Sequence, residues 1–110
     1  MRLIPPLLTP LLLACLALPA QADPPSYTLT IQNHRFQPEE LQVAAGQRFK
    51  VIVVNRDPTP EEFESTDMHR EKVVTGGGKI TVYIGPLPAG TYTFFGDFHP
   101  QQARGHIVVK

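Results

Sequence analysis

The sequence predicts an all-β fold, a sandwich of about seven strands in two sheets joined by Greek-key connections. Apolar residues beyond position 25 recur at every second position in short runs, the period of a half-buried strand. Glycine, proline and asparagine separate those runs, as turns require. No stretch holds apolar residues at helical spacing. Short alternating strands of this kind bury one face each, so two sheets must pack face to face to make a single core.

Tyr27, Leu29 and Ile31 alternate with polar partners and form the first strand; Leu41 and Val43 mark the next. Phe49, Val51 and Val53 follow the turn at Ala45, Gly46 and Gln47. Residues 55–72, NRDPTPEEFESTDMHREK, then break the alternation. They are too polar for a buried strand except around Phe63, and Pro58 and Pro60 interrupt ladder pairing, so the segment reads as a long functional connection. Ile80, Val82 and Ile84 resume the pattern after Gly76, Gly77 and Gly78. That glycine run lacks the following helix of a phosphate-binding loop and reads as a turn. Residues 86–90 turn again, and Tyr92, Phe94, Ile107 and Val109 close the chain.

Ahead of this domain, Arg2 precedes an apolar run over residues 7–18 and the small-x-small pattern Ala20, Gln21, Ala22. Residues 1–22 therefore read as a secretory signal peptide and residues 23–110 as the folded domain, which predicts a periplasmic protein. The run is short for a membrane span, which needs about 20 apolar residues, and it is punctuated by prolines. The chain is thus not expected to be an integral membrane protein. Leu12, Leu13, Ala14 and Cys15 offer a competing lipoprotein processing site, matched poorly by a leucine in its second position. Cys15 is the one cysteine, so the domain has neither a disulfide nor a thiolate ligand. Ten basic and ten acidic side chains balance, and no basic patch points to nucleic acid.

The order of segments resembles the cupredoxins. The resemblance rests on I-x-x-x-x-F-x-P-x-x-L-x-V over residues 31–43, an aliphatic strand ending in Asn55, and a final GTYTFF followed by G-x-I-x-V. TPEEFES at 59–65, REKVVTGGG at 70–78 and FFGDFHP at 94–100 are similar in particular to small periplasmic cupredoxins that accompany bacterial ferrous-iron permeases. The resemblance implies a role in iron or copper handling or in Fe(II) oxidation. Its implied partners are a membrane iron permease and a periplasmic iron-binding protein.

Carried over position by position, the resemblance places Glu61 or Glu62 where a blue-copper site has its first histidine. Gly96 stands at the cysteine, His99 at the second histidine and Arg104 at the methionine. A type 1 copper site cannot form from that set. The resemblance also gathers the loops at one end of the sandwich, bringing His34, Glu61, Glu62 or Glu64, and Asp97 with His99 within reach of each other. Imidazoles with carboxylates are harder than a His-Cys-Met set and suit iron, Cu(II), Mn(II) or Zn(II), so copper or iron is the expected ion.

Each candidate has an ordinary alternative: His34 as a solvent-facing turn residue, the glutamates as a solubilising cluster. In an extended segment Glu62 and Glu64 share one face and Glu61 shares the other with Phe63. Periodicity thus favours Glu62 and Glu64 as a pair, and the resemblance leaves Glu61 and Glu62 both open. Met68 and His69 suggest a soft copper site, which adjacent residues could form only from a loop. His106 reads as an exposed strand residue. For Arg104, near His99 and the glutamates, the alternative to a metal site is an ion pair that occupies the vacant ligand position and stabilises a metal-free protein. A metal-free scaffold acting as a protein-interaction module, or a periplasmic copper carrier, are the competing functions.

Overall fold

Alternation decides which side chains meet between the sheets. The structure, a computed structural model, describes residues 2–6, 10 and 22–110. The signal-peptide reading of 1–22 and the alternative at Cys15 fall mainly on residues outside that description. Among the described residues, no helix is long and apolar enough to cross a membrane.

Nine strands form among the described residues, not about seven: β1 (Ser26–Gln32), β2 (Arg35–Gln37), β3 (Glu40–Val43), β4 (Phe49–Asn55), β5 (Glu61–Ser65), β6 (Arg70–Val74), β7 (Lys79–Ile84), β8 (Gly90–Gly96) and β9 (Arg104–Val109). One sheet has the order β2-β1-β4-β7, the other β3-β9-β8-β5-β6. Pairs β1 with β4 and β3 with β9 are parallel, and the remaining pairs are antiparallel. The chain therefore crosses repeatedly from one sheet to the other.

Inward positions of β1 and β4 supply Leu29, Ile31, Phe49, Val51 and Val53; β8 and β9 supply Phe94, Ile107 and Val109 from the facing sheet. Phe36 of β2 lies edge-on to Phe94 at 5.1 Å and to Phe63 of β5 at 6.2 Å. Such edge-to-face pairs add about 0.5–1.5 kcal/mol to the burial of their rings. These three rings join the two sheets next to the turns described below.

Residues 55–72 are not one long connection. They contain β5, an interior strand, and lead into the edge strand β6. Pro58 and Pro60 lie upstream of the ladder, so they do not interrupt it. Strand β5 looks polar because its three inward residues are Glu61, Phe63 and Ser65. The Ser65 hydroxyl donates to the Thr93 carbonyl at 2.7 Å and accepts from the Met68 N–H. Met68 then packs into the core at 4% exposure, while His69 is exposed.

The β5–β6 connection is tied to β8 by Asp67, which accepts from the Thr93 N–H at 2.8 Å and from the Thr93 hydroxyl at 2.9 Å. These bonds hold the Asp67 carboxyl below its usual range. A depressed folded-state value contributes stability above the unfolded aspartate value, about 3.9, and that stability is lost as pH falls through the folded value. Asp67→Asn should lower stability at neutral pH and flatten its decline in acid. Urea unfolding from about pH 7 to about pH 3 measures this, and parallel curves for the two proteins would contradict it.

Candidate metal centre

The end of β4 begins the site. Asn55 is buried, and its amide donates to the Thr59 carbonyl at 2.8 Å and the Thr75 carbonyl at 3.2 Å. Its side-chain oxygen accepts from the Asp57 N–H at 3.0 Å. Gly76 is required beside this hub, because a side chain there would collide with the Pro58 carbonyl. Fixed in this way, Asp57 reaches under the β1–β2 turn. Its two oxygens accept from the Asn33 N–H at 2.8 Å and the His34 N–H at 2.9 Å. Burial pushes the Asp57 carboxyl up, but the His34 and Asn33 amides and the nearby His34 and His99 rings hold it below its usual range.

That turn has only two residues, since Gln32 pairs with Arg35. Asn33 and His34 both have positive φ, 53° and 58°. A two-residue hairpin of this hand favours Asn-Gly, and a side chain in the left-handed region costs about 1–2 kcal/mol. Histidine stands where glycine would be favoured. Its ring stacks on that of His99, with centroids 3.6 Å apart and planes at 16°.

His99 sits in the turn between β8 and β9, closed by its N–H donating to the Gly96 carbonyl and by the Ala103 N–H donating to the His99 carbonyl. Its Nδ1 lies 2.6 Å from Oε2 of Glu61. The other Glu61 oxygen accepts from the N–H groups of Phe98 at 2.9 Å and Glu62 at 3.0 Å. Glu61 is 1% exposed. Gly96 makes room for it: a Cβ there would fall 2.6 Å from the Glu61 carboxyl carbon and 2.7 Å from the Ala103 methyl.

His34, Glu61 and His99 thus offer ligand atoms within 4.8 Å of one another. Register selects Glu61 over Glu62, because Glu61 shares the inward face with Phe63. Glu62 and Glu64 share the opposite face, where they meet Asp97 in a separate acidic group. Partial burial and then the Asp97 and Glu62 carboxylates push Glu64 above its usual range. Asp97, expected beside His99, belongs to this second group. Met68 and His69 do not form a soft pair, since the thioether is in the core. Arg104 makes no ion pair with the glutamates among the described residues; its Nε donates to the Pro100 carbonyl at 2.7 Å. His106 lies on β9 beside Glu40, at 2.9 Å. Sequence reasoning missed Asp57, whose one signal is a carboxylate among turn residues directly after a strand.

Residues 7–109 match the Cupredoxin-like domain family. The chain belongs to that family. A curated relative, an uncharacterised protein of Rickettsia prowazekii (strain Madrid E), is 43% identical over 82 residues, 74% of this chain. The matched region covers 66% of the relative's length. Among solved structures, auracyanin A, a blue copper protein of Chloroflexus aurantiacus, superposes with TM-score 0.69 at 16% identity, covering 79% of this chain and 99% of its own. The metal-binding domain of a Cu(I)-exporting P-type ATPase of Streptococcus pneumoniae D39 gives 0.70 at 13%, with 77% and 84% covered. Amicyanin of Paracoccus versutus gives 0.62 at 21%, with 84% and 86% covered. These likenesses establish the cupredoxin fold.

The residues of this cupredoxin do not fit type 1 copper: no thiolate exists in the domain, and Glu61 fills the space beside Gly96. They do fit a harder ion. Two imidazoles and a carboxylate suit divalent ions that accept nitrogen and oxygen. Ring lone pairs lie in the ring planes, so the stacked pair does not converge on one point. One ion shared by both rings requires His34, whose side chain is 37% exposed, to turn out of the stack.

Two substitutions test the local account. His34→Gly should be more stable than His34→Ala by about 1 kcal/mol, because both lose the ring and only alanine keeps the left-handed penalty. Equal unfolding midpoints would refute the strained turn. Gly96→Ala should cost about 1–3 kcal/mol through overpacking. Adding Glu61→Ala should recover part of that cost in a double-mutant cycle, whereas strict additivity would show that the two positions do not compete for space.

Proposed function

We propose that this protein is a periplasmic metal-binding cupredoxin that handles an iron or copper ion as an accessory of ferrous-iron uptake. The observation that carries the metal reading is that His34, Glu61 and His99 place ligand atoms within 4.8 Å of one another at one end of the sandwich. A buried carboxylate on an interior strand and a histidine in a strained turn are both costly placements, and such costs collect at functional sites. The fold relatives add support, since two are named as blue copper proteins or amicyanins and a third as a Cu(I)-bound exporter domain. The iron assignment rests on the motifs at 59–65, 70–78 and 94–100. Export rests on the leader at 1–22. The partners that fit this reading are a membrane iron permease and a periplasmic iron-binding protein.

One observation favours a second reading. Both oxygens of Glu61 already have a protein partner, two backbone N–H groups on one and the His99 ring on the other, so the fold closes without an ion. A metal-free interaction scaffold would have this property too.

Anaerobic titration with Fe(II), Zn(II) and Cu(I), wild type beside His99→Ala, separates the readings. Fe(II) and Zn(II) should bind wild type, and His99→Ala should lose more than the roughly 10–100-fold that a supporting residue costs. Cu(I) binding far tighter than Fe(II) would redirect the reading to copper carriage, and absence of binding would leave the scaffold. Cu(II) alone decides nothing, because most sites of this type prefer it.

A further inference from the structure

We propose that Glu61 is a positioning residue for His99, not a metal ligand, and that Nε2 of His99 is the atom offered to an ion. The inference rests on the metal-centre reading above and decides which atoms that centre uses. Oε1 of Glu61 is taken by the Phe98 and Glu62 amides, and Oε2 faces His99 Nδ1. With the carboxylate as acceptor, the proton of that short contact lies on Nδ1, and the ring's lone pair is left on Nε2. The Glu61 side chain is 2% exposed and the His99 side chain 27%, so the imidazole, rather than the carboxylate, has the open side. A carboxylate behind a histidine fixes the ring's tautomer and orientation and raises its basicity as a ligand.

Asp57 stands behind His34 in a looser version of the same arrangement. Its Oδ2 lies 3.5 Å from His34 Nδ1, and both its oxygens hold backbone amides. Two imidazoles backed by two buried carboxylates thus stack at the mouth of the site, and neither carboxylate has an oxygen without a protein donor. Direct coordination by Glu61 would require the 2.6 Å contact and the packing beside Gly96 to be rebuilt.

Two-bond proton–nitrogen correlation spectra of uniformly labelled protein read the ring nitrogens directly, first metal-free and then with Zn(II) alone. The metal-free spectrum should show His99 with its proton on Nδ1, and Zn(II) should shift Nε2. Glu61→Gln must keep its one carbonyl oxygen on the Phe98 and Glu62 N–H groups and so turns its NH2 toward Nδ1. It should move the metal-free His99 proton to Nε2 and weaken Zn(II) binding by roughly 10–100-fold, whereas an unchanged tautomer and affinity would show that Glu61 does not position the ring. In the wild type, a metal-free His99 protonated on Nε2, or Zn(II) on Nδ1, would overturn the inference while leaving the metal reading in place. No Zn(II) response from either ring would overturn the metal reading, and the inference with it.

Discussion

A carboxylate facing inward on an interior strand carries a desolvation penalty of several kcal/mol unless its oxygens find donors, and the end of this sandwich is arranged to supply them to Glu61. The Phe98 amide can reach Oε1 only because the β8–β9 turn folds back over β5, a position held by the Asp97 N–H donating to the Glu62 carbonyl. His99 follows one residue later and presents Nδ1 to the second oxygen. Glycine at position 96 leaves the space in which the carboxyl group sits. The conformation of the turn and the orientation of the histidine are both tied to one buried carboxyl group.

The opposite wall depends on Asp57 in a similar way. A short hairpin with two residues at positive φ is strained, and it persists because the two amides at its tip are both bonded to a carboxylate from elsewhere in the chain. Asp57 is in turn placed by Asn55, whose side chain bridges the end of β4 to residues 59 and 75. The two histidines therefore meet although they lie on turns at opposite ends of the sequence. Phe36, Phe63 and Phe94 pack against one another between the strands that carry those turns.

Alternation made β1, β3, β4, β7, β8 and β9 legible, because their inward residues are mostly apolar. Strand β2 has three residues, too few for a period, and β6 is an edge strand with four exposed residues and only Val74 inward. Strand β5 escaped notice for a different reason: its inward set includes a glutamate and a serine that are buried because specific partners satisfy them. Periodicity cannot report that, since it registers polarity and not hydrogen bonding. The same limit explains the carboxylates. Face assignment separated Glu61 from Glu62 and Glu64 as the structure does, and the pair it favoured, Glu62 with Glu64, gathers with Asp97, while Glu61 is the carboxylate that lies beside the two histidines. His34 and His99 were visible as candidates, but Asp57 acts through backbone amides and leaves no pattern of its own.

The departure from a blue-copper ligand set is best understood as one coupled change at two positions. A cysteine at position 96 would place its Cβ against the Glu61 carboxyl group, so thiolate and carboxylate compete for the same space. Exchange of the soft ligand for glycine opens that space, and a glutamate on the neighbouring strand fills it and takes hold of the remaining histidine. Each half alone carries a cost: glycine without Glu61 leaves a cavity beside polar amides, and Glu61 without glycine is overpacked. The new carboxyl group is accommodated because both of its oxygens meet polar partners, the Phe98 and Glu62 amides and the His99 ring. What differs from a blue-copper set is the chemistry the end of the sandwich presents: imidazole nitrogens backed by carboxylates, with no sulfur among them.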